Sequence, residues 1–466
     1  MRVHPTLKIA GGVLAAGIGL ALLLALVSHL AAPDGSQEPP VVSPAELRVA
    51  EKARQPNIDT KNPPRLHVAV DYSEGEKAAW YPKSEAPLFA DLVAKGELPP
   101  VAKRVGPEPC VMKGVEGIGN YGGTWFRIAN SPNDVGVIAN RLGYSYLLRW
   151  SPQGHPICPH VAKSFKASAD NKEFTVTLRK GLLWSDGKAP YTVDDIMYWW
   201  EHEANHPKIN GTIPEIMKVR GQSGTVEKVD DYTVIFRFPE PNGLFEARLA
   251  TYSSRPITDT PAHYLRQYHP DLGDKSLIDD YMKRRKLPNA LAVYRDVKGL
   301  FNPLHPRLWP WIYRDFKSNP PQSFIRNPYY YVVDPEGNQL PYVDRVLFEV
   351  KSPDMLGISA SNGEVTMQAR HIRYDMYTLL MDRRKEYDFD VYHWYPGDRS
   401  QYAISPNMNR KVEPGKPETK WKAQLLADKR FRQALSIAIN RQTIIDAEYD
   451  GQAEAAQVAP GPASYF

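Results

Sequence analysis

The sequence predicts a mixed α+β fold, from two stretches whose apolar residues alternate as strands do and from helical stretches without a regular strand–helix repeat. In the first stretch Phe174, Val176 and Leu178 are separated by Thr175, Thr177 and Arg179. In the second, Tyr232, Val234, Phe236 and Phe238 alternate with Thr233, Ile235 and Arg237. Successive side chains leave a strand on opposite sides, so each stretch gives a strand with one buried face. The 466 residues suffice for about two to four domains, and no internal repeat is visible.

Taken in chain order, Arg2 and Lys8 precede an uncharged run over residues 9–32 broken only by Ser28 and His29. That run is an export signal. It exceeds the usual h-region and reaches the roughly 20 residues that cross a bilayer, so a cleaved signal peptide and an uncleaved anchor are both expected readings of residues 1–32. The only cysteines are Cys110 and Cys158, so none follows the run to carry a lipid. Residues 33–118 read as a Pro-rich tether and an N-terminal extension, with Pro39, Pro40, Pro44, Pro56, Pro63 and Pro64 at its start. Gly117, Gly119 and Gly122 form a GxGxxG, but the alternating residues after Gly123 make it a turn entering a strand rather than a phosphate cradle. Thr192 caps a helix whose first turn carries Asp194 and Asp195. Pro207 stops that helix at or before His206. Near the end, Phe431, Ala434, Leu435 and Ala438 fall on one helical face, and Asn440 caps a second helix carrying Ile444 and Ile445.

A formal net charge of +5, or +3 without Arg2 and Lys8, is too small to argue for a nucleic-acid partner. Forty-two prolines and 26 tyrosines describe stiff connections and many amphipathic rings, a surface suited to clamping a ligand. In an oxidising compartment Cys110 and Cys158 either pair or stand as two buried thiols, and their spacing is not that of a redox or zinc motif. His202, Glu203 and His206 match HExxH, the pattern of a zinc peptidase. Pro207 ends the helix at the second His and no third ligand follows at a familiar spacing, so the expected reading is a polar helix end in solvent. Neither GxSxG nor a Walker-type loop occurs, and the sequence calls for no cofactor, no metal and no catalytic group.

Residues 173–187, ending in Trp184, Ser185, Asp186 and Gly187, continued by residues 191–201, closely resemble the signature of family 5 extracellular solute-binding proteins, the peptide-binding receptors of ABC importers. Residues 121–125, 142–150, 326–330, 339–346 and 428–441 are similar to further blocks of that family, in its order. The resemblance implies a bilobal periplasmic-binding-protein clamp with three subdomains. The first lobe takes residues 119–150 and 256–405, the inserted second subdomain 151–255, and the third lobe starts at 406. It implies a monomer, exported to the periplasm or cell envelope, that captures a peptide and delivers it to ABC permease subunits. Oligosaccharide, another small solute or a tethered sensor role are the alternatives. A cleft strand of the family maps onto Tyr144, Ser145 and Tyr146, with Ser145 in place of an acid, and another onto Asn407 and Asn409; these five are the candidate ligand-binding residues. Trp184–Gly187 reads as a structural turn. The family's third lobe continues past the last residues here, which implies a C-terminally truncated lobe.

Overall fold

The computed structural model describes residues 65–152, 154–314, 321–392 and 403–456, together with residues 19, 22 and 23. The predicted leader and most of the tether therefore lie outside the described residues. Among the described residues no helix is long and apolar enough to cross a membrane.

In chain order the strands that build the molecule are β1 (Cys110–Val111), β2 (Thr124–Ala129), β3 (Leu148–Trp150), β4 (Ile157–Pro159), β5 (Ala162–Ala167), β6 (Glu173–Leu178), β7 (Thr225–Lys228), β8 (Thr233–Arg237), β9 (Trp311–Tyr313), β10 (Gln322–Arg326), β11 (Val332–Val333) and β12 (Arg345–Val350). The two alternating stretches become β6 and β8, antiparallel neighbours in a sheet ordered β5-β6-β8-β7. Val176 stands opposite Val234 and Phe174 opposite Phe236. Phe174, Val176, Leu178, Val234 and Phe236 are all buried, and Phe245 closes over them at 4.8 Å from the Phe174 ring and 5.2 Å from that of Phe236. The turn at Gly117–Gly123 does lead into a strand, β2.

Helix α1 (Pro132–Leu142) follows β2, with Ser131 accepting from the Asp134 N–H as its cap. Helix α2 (Val193–Tyr198) begins with a reciprocal capping box, in which Thr192 accepts from the helix backbone and Asp195 accepts from the Thr192 N–H at 3.0 Å. It runs into a π-helical turn, Trp199–Ala204, and ends before Pro207 as the sequence required. Its inner face, Val193, Ile196 and Trp199, joins Trp184 and Tyr191 in the main core.

A second sheet is ordered β9-β10-β12-β2. Here β2 lies parallel to β12, Thr124 opposite Arg345 through Ala129 opposite Val350. The chain therefore leaves this sheet after β2, builds the antiparallel sheet, and returns. Val135 and Ala139 of α1 pack with Phe324, Val346 and Phe348 on it. The described part of the N-terminal extension is integral to this body. Trp80, Val101 and Val105 pack with Val111 and Val333, and β1 pairs with β11.

Helices α3 (Pro417–Ala427), α4 (Lys429–Ile437) and α5 (Arg441–Tyr449) end the described chain. Asn440 caps α5 by accepting from the Thr443 N–H, as its sequence position predicts. The predicted stripe on α4 forms as a helix but not as a core face, for α4 buries none of its residues and Leu435 is 42% exposed.

Candidate functional site

The candidate residues Tyr144, Ser145 and Tyr146 sit where the chain first crosses toward the antiparallel sheet, but not on the expected strand. Gly143 closes α1 through its N–H to Ala139 O, and the Ser145 N–H then bonds Gly143 O at 2.7 Å, a tight bend incompatible with a strand ladder. The bend fits only glycine, because a Cβ on Gly143 would lie 2.2 Å from the Trp309 ring. The Tyr144 hydroxyl donates to Ala250 O at 2.5 Å and accepts from the Trp150 N–H at 3.1 Å. Its ring meets Tyr146 edge-on at 4.8 Å and carries the Arg149 guanidinium 4.7 Å above it. Ser145 is buried and its carbonyl accepts from the Thr258 hydroxyl at 2.7 Å, which ties this outward crossing to the return crossing. Tyr146 is buried as well, and that burial raises its hydroxyl pKa against the pull of Arg255.

The return crossing carries the strongest buried charges. Arg307 donates to both carboxylate oxygens of Asp259 at 2.6 and 2.7 Å, while Arg255 donates to the same carboxylate at 2.9 Å. Burial works to raise Asp259, but the two guanidinium groups outweigh it and hold the carboxyl well below the usual range. Trp309 lies under both cations, 4.7 Å from Arg307 and 5.4 Å from Arg255. The Trp184–Gly187 segment locks onto this cluster as a structural turn. The Arg307 N–H donates to the Ser185 hydroxyl at 2.9 Å, and Asp186 pairs with His263 at 2.9 Å. Gly187 has φ +67°, and a Cβ there would lie 2.3 Å from the Tyr329 hydroxyl.

The HExxH string does not form the solvated helix end expected. Glu203 is 4% exposed and accepts from Thr260 at 3.3 Å, from the Tyr294 hydroxyl and from the Lys298 ammonium. His206 uses both ring nitrogens, Nε2 toward Asp271 at 2.7 Å and Nδ1 as acceptor for the Lys208 and Ile209 N–H groups. The π turn explains the difference: widening the helix swings Glu203 into the cluster around Tyr294 rather than to the surface.

Asn407 and Asn409 also depart from the expected strand. Both are exposed in a turn where the Asn409 N–H bonds the Asn407 side chain at 3.1 Å, so the amide serves its own backbone instead of a ladder. No hydrogen bond among the described residues joins them to the Tyr144 loop. A shallow groove of about 250 Å³ lined by Lys218, Arg220, Pro241 and Arg248 shares no residue with either group. Cys110 and Cys158 are free, buried thiols. The Asp259–Arg307 pair has no local sequence signal, since its members are 48 residues apart.

Known proteins supply the context for this geometry. The model of the bacterial extracellular solute-binding proteins, family 5 Middle, matches residues 157–466. The periplasmic alpha-galactoside-binding protein of Rhizobium meliloti (strain 1021) is 28% identical over 289 residues, 56% of this chain and 38% of its own. A solved oligopeptide-binding protein OppA superposes with a TM-score of 0.69 at 34% identity, covering 82% of this chain and 59% of the other. The periplasmic binding protein MelB of Agrobacterium fabrum C58, solved with stachyose, gives a TM-score of 0.57 at 23% identity over 81% of this chain and 57% of its own, a likeness of fold. The chain thus spans 38% to 59% of the length of these relatives.

Proposed function

The chain belongs to the bacterial extracellular solute-binding proteins of family 5, a class of binding proteins, and on that premise we propose that it is part of an exported receptor. In this reading it captures a peptide as a monomer, does no chemistry on it, and hands it to the membrane subunits of an ABC importer. The observation that supports this most is the discontinuous sheet, in which β2 pairs with β12 while a separate antiparallel sheet is inserted between them. Two crossings, near residues 143–150 and 254–260, then join two bodies that can close over a solute. Ligand contacts made only in the closed state would drive that hinge. We divide the chain accordingly into a first lobe of residues 119–150 and 256–405, a second of 151–255 and a third from 406. Tyr144, Asn407 and Asn409 are assigned to the solute, with Ser145 and Tyr146 supporting Tyr144 from the buried side.

One observation favours an oligosaccharide instead. The Tyr144–Tyr146 loop has no carboxylate of its own, and Asp259, the acid sensed by Tyr146, is already held by two guanidinium groups. A ligand ammonium therefore finds no free acid there, whereas a sugar ring can stack on tyrosine. Isothermal titration of the full chain with di- to pentapeptides and with tri- and tetrasaccharides of α-galactose separates the two. Peptide binding weakened about tenfold by Asn409→Ala is the expected result. Binding of saccharides alone would replace peptide with sugar, and binding of neither would end the receptor reading for this chain.

A further inference from the structure

Three donor side chains from separate segments converge beside β1. His67 Nε2 lies 3.2 Å from His160 Nδ1, and Cys110 Sγ lies 3.6 Å from the same nitrogen. All three donor atoms fall within 4.8 Å of one another. Cys110 and His160 are fully buried, while His67 is half-buried. The remaining ring nitrogens, His67 Nδ1 and His160 Nε2, are buried without a hydrogen-bond partner among the described residues. With metal–nitrogen bonds of about 2.0–2.1 Å and a metal–sulfur bond of about 2.3 Å, tetrahedral ligand atoms stand about 3.3 Å apart for N and N and about 3.6 Å for N and S. The two closest pairs here already have those separations.

We propose that His67, Cys110 and His160 bind a soft, thiolate-preferring metal ion, and that monovalent copper is preferred to zinc. The charge around the site decides between the two. Arg149 and Arg179 both act on His67, His160 and Cys110. Arg179 is buried and spends its hydrogen bonds on His160 O, Pro109 O and the Tyr72 hydroxyl rather than on a carboxylate. A monovalent ion bound by the Cys110 thiolate is neutral overall. A divalent ion would leave a net positive charge buried beside two cations, which a low-dielectric interior disfavours. Met112 adds a soft donor to the same surroundings. It is the antiparallel bridge partner of His67 and lies two residues beyond Cys110, so all three side chains share one face.

Such an ion would clip residues 66–68, held so far by the Val68 N–H to Val111 O and the Lys113 N–H to Leu66 O, onto β1 and the segment after β4. The inference is independent of which solute the protein carries. Its test is to strip the purified full chain with chelator under reductant, then titrate Cu(I), against a chromophoric Cu(I) chelator, and Zn(II) in parallel. One equivalent of Cu(I), a thiolate-to-copper ultraviolet band and a melting temperature that rises with metal are expected. His67→Gln, at a half-buried position, should keep the wild-type far-ultraviolet circular dichroism and lose at least tenfold in affinity; Cys110→Ser should lose the band. Zn(II) retained in preference to Cu(I) would overturn the copper assignment. Absence of binding, or binding that His67→Gln leaves unchanged in a folded protein, would overturn the site.

Discussion

Helices α2 and α4 are specified by the same devices and end in different surroundings. Thr192 and Asp195 cap α2, Asp428 caps α4 by accepting from the Arg430 N–H, and each carries apolar residues on one face. Yet α2 buries Val193, Ile196 and Tyr198, whereas Ile437 of α4 stays 83% exposed and Trp421 of α3 67%. Among the described residues of 403–456 only Thr419 and Ile445 are buried. Caps and periodicity thus decide that a helix forms and which face is apolar; burial needs an opposing surface. A nine-residue helix with no such surface draws little on the hydrophobic effect, which is where most helix stability in proteins arises.

The contrast can be broken most forcefully at the buried crossing. Asp259→Ala strands Arg255 and Arg307 without their carboxylate, and urea denaturation should record a loss of about 3–5 kcal/mol. A loss below about 1 kcal/mol would show that water reaches the cluster and that the crossing is not a dry core. The next effect is a pH dependence. Burial raises Asp195 to about 6 despite its bonds to Thr192 and Ala262. Between about pH 4 and 6 the folded state then holds a proton that the unfolded state has released, so this group lowers stability as pH rises through that window, by on the order of 3 kcal/mol. Asp259 acts in the opposite sense, since its depressed pKa gives stability that is complete above the carboxylate range and lost as pH falls through it. Comparing unfolding free energies from pH 4 to 7 for wild type and Asp195→Asn isolates the first; equal slopes would remove it.

Two smaller changes sharpen the comparison on the exposed side. Asn440→Ala removes the acceptor for the Thr443 N–H and should lower the stability of α5 by about 1 kcal/mol, read as faster amide exchange confined to residues 441–449. Leu435→Ala should change global stability by less than about 0.5 kcal/mol. A value above about 2 kcal/mol would mean that the apolar face of α4 is covered in the protein in solution.

Much of the fold was legible because its signals are local. The alternation at 174–178 and 232–238 gave two strands, Thr192 and Asn440 gave two helix starts, and Pro207 gave a helix end, since each depends only on neighbours in the chain. The candidate site was far less legible. A bend forced by the approach of Gly143 to Trp309 replaced the strand expected at Tyr144, and a π turn carried Glu203 into a buried ion pair that HExxH spacing cannot show.

What the sequence by itself determined is therefore the element types, their caps and the family signature around residues 173–201, all properties of periodicity and backbone preference. Tertiary structure alone decided which distant groups meet: Asp259 with Arg307, Glu203 with Lys298, and Cys110 with His67 and His160. Hydrogen-bond and Coulomb energies depend on separation in space, and a linear chain places no constraint on that separation until its sheets have paired.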